Sequence, residues 1–194
     1  ITKGAKIIAE GLETDPIVFT SNKSLKKAGD WGGIVILGDA PINRFGVYTA
    51  YNYDDLDPTL TTYGGTNPDG SSGVLKFVRV EYAGKKARGA DNFNAILLGG
   101  IGNKTILENI MVSYALGNAF EVYGGEPVMN KMVSYRCNGN DFKFSVGAQA
   151  KLDNSLVIRT SYISDSSGSR CLDISSYLKK ENMDFTKKET SVTA

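Results

Sequence analysis

Val112-Ser113-Tyr114-Ala115-Leu116-Gly117-Asn118-Ala119-Phe120-Glu121-Val122 and Val133-Ser134-Tyr135-Arg136-Cys137-Asn138-Gly139-Asn140-Asp141-Phe142-Lys143-Phe144 align at an offset of 21 to 22 residues. The pattern extends in both directions. Val80-Glu81-Tyr82 followed by Asn94-Ala95-Ile96-Leu97-Leu98 is the same unit with a longer loop. Thr160-Ser161-Tyr162 before Cys171-Leu172-Asp173-Ile174, and Ile17-Val18-Phe19 before Ile34-Val35-Ile36, complete five units. Within each strand the matched apolar residues lie two apart, so they share one face of a β-strand. Helical spacing is absent except near Tyr177–Met183.

Five units give columns of equivalent positions. One is Ile17, Val80, Val112, Val133, Thr160, and the next is Phe19, Tyr82, Tyr114, Tyr135, Tyr162. After a corner come Ile34, Ile96, Phe120, Phe142, Leu172 and then Ile36, Leu98, Val122, Phe144, Ile174. Leu75, Ile106, Val128 and Leu152 mark a third strand per unit. Three short strands in about 22 residues describe a coil that cannot bury its own apolar face, so coils stack at ~4.8 Å. The pattern predicts an all-β, right-handed parallel β-helix of about five coils, with long loop insertions in the first two. A β-sandwich is the alternative, but alternating strand directions would not repeat equivalent columns. Gly38, Gly99-Gly100, Gly124-Gly125 and Gly147 fall where the chain must turn. Asn94, Asn118 and Asn140 predict an amide ladder at a bend.

Composition agrees. Of 194 residues, 41% are hydrophobic and 22% charged, and Gly is raised to 22 residues, about 11% against a usual ~7%. Lys plus Arg (22) balances Asp plus Glu (21), so overall charge recruits neither nucleic acid nor a membrane surface. No apolar run approaches the ~20 residues of a transmembrane helix. His is absent, which excludes Ser-His and Cys-His catalysis and His-ligated zinc. The register turns Cys137 and Cys171 differently, which favours two small buried thiols over a bridge between them. We read residues 1–194 as one β-helix domain. Its first and last residues lack caps, which reads as a segment of a longer chain.

Several stretches carry a resemblance. They are Gly4-Ala5-Lys6-Ile7-Ile8-Ala9-Glu10-Gly11, Asp15 to Asn22, Gly29-Asp30-Trp31-Gly32-Gly33-Ile34-Val35-Ile36-Leu37-Gly38, Tyr63-Gly64-Gly65-Thr66, and Gly73 to Gly84. Together they resemble a family of secreted bacterial cell-surface proteins with a right-handed parallel β-helix fold, often carrying a lipoprotein or sorting signal. The likeness runs from about Lys3 to Gly147. It implies an extracellular place on the bacterial outer-membrane surface and brings no catalytic residues with it. The family usually shows several Asp near Asn138–Asp141, of which only Asp141 is acidic here, so a metal at that corner is not implied.

Insertions in a solenoid form loops at particular corners, and such loops carry binding functions. Residues 20–33 and 83–95 leave the same corner of the first two coils. They hold Lys23, Lys26, Lys27 and Lys85, Lys86, Arg88, a candidate basic patch for an acidic polysaccharide or lipid phosphate, or else simply a solvated loop pair. Trp31, beside Gly32-Gly33, is a cover for the corner or a ligand platform. The largest insertion, residues 39–72, holds Tyr48, Tyr51, Tyr53 and Tyr63 with Asp54, Asp55, Asp57 and Asp69. Three readings stand: tyrosines stapling the loop to the barrel with Asp in turns, oxygen ligands for Ca²⁺ as the one candidate cofactor, or a sugar platform including Tyr63.

Two functions compete. The first is a non-catalytic surface module for glycan binding, adhesion or assembly, with polysaccharide or surface proteins as partners. The second is a polysaccharide lyase or glycoside hydrolase acting on acidic glycans. A lyase needs a base such as Lys86 or Arg88 beside calcium-binding acids, and a hydrolase needs two carboxylates ~5–9.5 Å apart across a groove. The reading favoured by the sequence is the non-enzymatic one.

Overall fold

The computed structural model describes residues 1–51, 56–86, 92–164 and 168–194. The chain winds as a right-handed parallel β-helix with three faces. Face three is the simplest: Ile34–Leu37, Ile96–Ile101, Phe120–Gly125, Phe142–Ser145 and Leu172–Ile174 pair in parallel, in that order. Faces one and two are two halves of the same long strands. Gly73–Glu81, Ile106–Ser113 and Val128–Tyr135 each bend in the middle, at Phe77, Asn109 and Lys131, which have φ of 49°, 53° and 57°. Asn154, φ 50°, marks the same bend in the fifth coil, between Gln149–Asp153 and Leu156–Ile158. Ile7–Glu10 adds to face one and Ile17–Phe19 to face two in the first coil. Ser191–Thr193 continues face one beyond the fifth.

On face three the predicted columns hold residue for residue. Ile34, Ile96, Phe120, Phe142 and Leu172 are in register, as are Ile36, Leu98, Val122, Phe144 and Ile174. Phe120 and Phe142 stack inside the barrel with ring centroids 5.1 Å apart and planes 9° apart. Removing one such side chain from water contributes about 1.5–3 kcal/mol.

Faces one and two correct the expected phase. Between the third and fourth coils the step is a uniform 22 residues, so Ser134, not Val133, lies beside Val112, and Tyr135 lies beside Ser113. The inward row of face two is therefore Phe19, Val80, Val112, Ser134 and Val157, beside a second inward row, Ile17, Val78, Ile110 and Met132. Ile17 and Phe19 thus sit one notch, two residues, from the expected partners. Leu156–Ile158 takes the place predicted for Thr160–Tyr162, and Tyr162 is 95% exposed. On face one the inward row is Ala9, Leu75, Leu107, Met129 and Leu152, so Ile106 and Val128 turn outward. The asparagines do not bond amide to amide. The Asn118 side-chain oxygen accepts the Asn140 N–H at 2.8 Å, and the Asn94 and Asn118 amides donate to Glu121. Both cysteines are free, but only Cys137 is buried, and burial pushes its thiol pKa up.

The long insertion folds down on the outer side of face three. Its hairpin, Thr49–Ala50 against Thr62–Tyr63, is the antiparallel strand pair among the named strands. Ile42, Tyr51 and Tyr63 pack with Leu37, Leu97, Tyr123 and Val146 into a second, smaller apolar cluster. Gly64 lies in the left-handed region at φ 94°, and a Cβ there would stand 2.8 Å from the Ile42 side chain, so a residue without one permits this close seat.

Candidate functional site

The two lysine-bearing loops meet. Main-chain N–H groups of Gly29 and Asp30 donate to the carbonyls of Ala83 and Tyr82 at 3.1 and 3.0 Å. Those of Gly84 and Lys85 donate to the carbonyls of Gly32 and Trp31 at 3.0 and 2.9 Å. The corner is thus one built unit. Lys23, Lys26, Lys27, Lys85 and Lys86 are exposed on it, while Arg88 lies outside the described residues.

Asp30 organises the first loop. Its carboxylate accepts from Ser21 Oγ at 2.7 Å, from Lys23 Nζ at 2.7 Å and from the Lys27 N–H at 3.1 Å. The Lys23 and Ser21 hydrogen bonds hold its pKa down at about 2. Among the described residues, Lys23 is the member of the lysine set that is ion-paired. Lys26 Nζ reaches Thr20 Oγ1 at 3.3 Å, and that hydroxyl donates to Glu81 Oε2 at 3.1 Å. Trp31 is a cover rather than an open platform. Its Nε1 donates to the Glu81 carbonyl at 2.8 Å, and the half-buried ring packs against the main core.

Beside these loops runs a row of side chains that the sequence reading placed as a barrel column. Tyr82 and Tyr114 take φ of 59° and 55° at the end of face two, and their half-buried rings stack outside the barrel, centroids 5.2 Å apart and planes 10° apart. Tyr135 meets Tyr114 edge-on at 5.5 Å, and the exposed Arg136 guanidinium lies 5.2 Å from the Tyr135 ring centroid. Burial and the Tyr135 phenol raise the Tyr114 pKa. Alternation alone could not reveal this row, because a left-handed residue at the strand end reverses the side on which the chain presents its side chain.

The insertion offers less. Tyr63 is 1% exposed and its pKa is pushed up to about 12 by burial, so it staples the loop and presents no ring to a sugar. Asp57 and Asp69 serve separate turns. Asp57 accepts the Thr59 N–H and hydroxyl at 2.9 and 2.7 Å, and Asp69 accepts the Asn103 amide at 3.0 Å. Asp54 and Asp55 lie outside the described residues. Among the described residues, no three His, Cys, Asp or Glu side chains gather to hold a metal.

Two acidic groups missed as candidates are buried. Glu121, on the outer side of face three, pairs with Lys143 at 3.0 Å and accepts the Asn118 amide at 3.0 Å. In the next coil Asp173 follows Lys143 in the same row. Asp141 is fully buried at the corner between faces two and three. It accepts from Ser134 Oγ at 2.5 Å and from Arg159 at 2.6 Å.

The pectate-lyase-like β-helix domain matches residues 1–193. The chain belongs to that family. No curated protein and no solved structure matches it. In this family member the exposed cations and the tyrosine row share one corner. Glu121 of face three instead lies beside Tyr63 and Tyr123 of the cluster under the insertion.

Proposed function

We propose that this chain is a non-catalytic module of a bacterial cell surface that binds an anionic polysaccharide at the corner built by residues 20–33, 83–86 and 92–95. One observation supports the reading: four main-chain hydrogen bonds hold the roots of the two lysine-bearing insertions side by side, on a chain of near-zero net charge. Clustered charges add within the ~10 Å Debye length of 0.1 M salt, whereas the acids of the insertion depart from a different corner. Binding to acidic and neutral polysaccharides at low and high ionic strength tests it. The parent should hold the acidic polymer and release it as salt rises. A variant with Lys26, Lys27, Lys85 and Lys86 changed to Ala should bind several-fold more weakly, and equal binding by parent and variant would remove the proposal.

Family membership supports a second reading, a lyase or hydrolase of acidic glycans. Its specific support is the Glu121–Lys143–Asp173 row, an amine between two carboxylates in successive coils. At 2% exposure, however, Glu121 is closed to a substrate in this arrangement. A lyase would release unsaturated uronides that absorb in the ultraviolet, and a hydrolase would release reducing ends. Either product from the purified chain, abolished in Lys143→Ala, would replace the binding proposal.

A further inference from the structure

Face one carries two outward rows of different character. Ile8, Val74 and Ile106 are in register in the first three coils, and Val128, one residue before the Met129 that pairs with Leu107, continues the row in the fourth. Ile8, Ile106 and Val128 are 69%, 48% and 39% exposed, and Val74 is half-buried. Two residues further along the same strands run Glu10, Lys76, Glu108 and Asn130, with Lys76 Nζ 3.3 Å from Glu108 Oε2. The insertion covers the outer side of face three and leaves this apolar ladder in water. A contiguous apolar strip rimmed by polar side chains is the mark of an interaction surface.

We propose that face one is a self-association surface, on which a second copy of this chain packs its own face one about a two-fold axis. That axis runs parallel to the strands and passes between the second and third coils. The order of the two rows selects this partner and this axis. The rotation keeps position along the strand and reverses the order of the coils. Ile8 then meets Val128 of the second copy and Val74 meets its Ile106, so the apolar row lies on itself. In the adjoining row Lys76 meets Glu108 of the second copy and Glu108 meets its Lys76, while Glu10 falls opposite the neutral Asn130. The charged row is complementary to its own reverse, which is what an isologous interface requires. Turning the copy about the helix axis instead sets the charged rows on opposite sides of the apolar strip, where they pair with nothing across the interface. The half-exposed Lys76–Glu108 pair of each copy becomes part of a four-membered network. From first coil to fourth the strip is about 15 Å long at ~4.8 Å per coil. That is small for a specific interface, so the dimer should be weak and should grow with concentration.

The test is sedimentation velocity of the full chain at low ionic strength over a wide range of concentrations. The parent should pass from monomer to dimer as concentration rises. Ile106→Asp sets a charge against Val74 of the second copy and should weaken association at least about tenfold. Lys76→Glu and Glu108→Lys should each stay monomeric alone, because each places like charges opposite one another. Mixed in equal amounts, the two should dimerise, a row of acids against a row of amines. The Lys76–Glu108 pair within each chain is broken in both variants, mixed or not, so recovery on mixing reads the interface alone. All three variants should keep the parental circular dichroism. If Ile106→Asp loses the fold, the mixing experiment decides by itself. A parent that stays monomeric throughout overturns the proposal. So does a dimer that a folded Ile106→Asp leaves unchanged, or a mixture no more associated than its two components.

Discussion

The molecule contains two aromatic pairs of nearly the same geometry on opposite sides of its backbone. Phe120 and Phe142 stack at 5.1 Å and 9°, and Tyr82 and Tyr114 stack at 5.2 Å and 10°. The phenylalanines face inward and are 1% and 3% exposed, while the tyrosines sit outside, half-buried, beside the lysine loops. Coil stacking alone makes the ladder in both cases, since any side chain repeated once per coil meets its copy at that spacing. What differs is the medium on the other side of the ring. Inside, a ring fills the barrel and carries stability. Outside, the same stack is half-buried with solvent along its rim, so less apolar area leaves water and it carries less stability.

The strongest way to sharpen that contrast is to truncate one ring of each pair. Phe142→Ala should cost about 3–5 kcal/mol, the lost transfer energy plus a cavity the stacked coils cannot close. Coils contact only their neighbours, so hydrogen exchange should show the fourth and fifth coils fraying first. A denaturant midpoint equal to the parent's would break the comparison. Next in size is Asp141→Ala. It would strand Arg159 and the Ser134 hydroxyl, and breaking such a pair costs about 3–5 kcal/mol when fully buried. Arg159 keeps some solvent contact, which lowers the expectation to about 2–4 kcal/mol. Tyr114→Ala, by contrast, should cost about 1 kcal/mol, the scale of an aromatic pair at a partly solvated site. A loss as large as that of Phe142→Ala would mean that the outer ladder is structural after all.

The same contrast explains how much could be read in the sequence. Face three was legible because its inward residues alternate with clear partners and glycines mark its exit at Gly99-Gly100 and Gly124-Gly125. Faces one and two were legible as strands but not in phase. Their bend falls on Phe77, Asn109, Lys131 and Asn154, none of them a glycine that would signal left-handed backbone. The resemblance of Val112-Ser113-Tyr114 to Val133-Ser134-Tyr135 then drew the alignment one residue away from the step the backbone takes, placing Tyr114 and Tyr135 in one column when Arg136 is the true equivalent of Tyr114. Ser134 looked like a surface residue because its partner, Asp141, is itself buried and could be recognised only in three dimensions. The adjacency of the two lysine loops was legible from the lengths of their insertions. Their pairing with a tyrosine row was not, because that depends on which side of the strand end the rings emerge.

The smallest expected effect concerns the loop that joins the basic corner to the tyrosine row. Asp30 has a folded pKa of about 2 against an ordinary 3.8, because Lys23 and Ser21 hydrogen-bond its ionised form, as does the Lys27 N–H. A lowered carboxylate pKa means that the ties are complete above about 4 and are lost as pH falls through 2. The sign is opposite to that of a group that binds its proton more tightly on folding. A ¹³C-detected titration of the Asp30 carboxyl should therefore show a midpoint near 2, with the Lys27 amide shifting in step. The Phe120–Phe142 ladder holds no titratable group and should report no change over that window until the whole fold gives way. A midpoint near 4 would mean that solvent, not Lys23, satisfies Asp30. Lys23 would then join the free cations of the corner, and Lys23→Ala would weaken polysaccharide binding as much as Lys26→Ala does. With Lys23 engaged by Asp30, Lys23→Ala should instead have the smaller effect of the two, because the charge it removes is already offset.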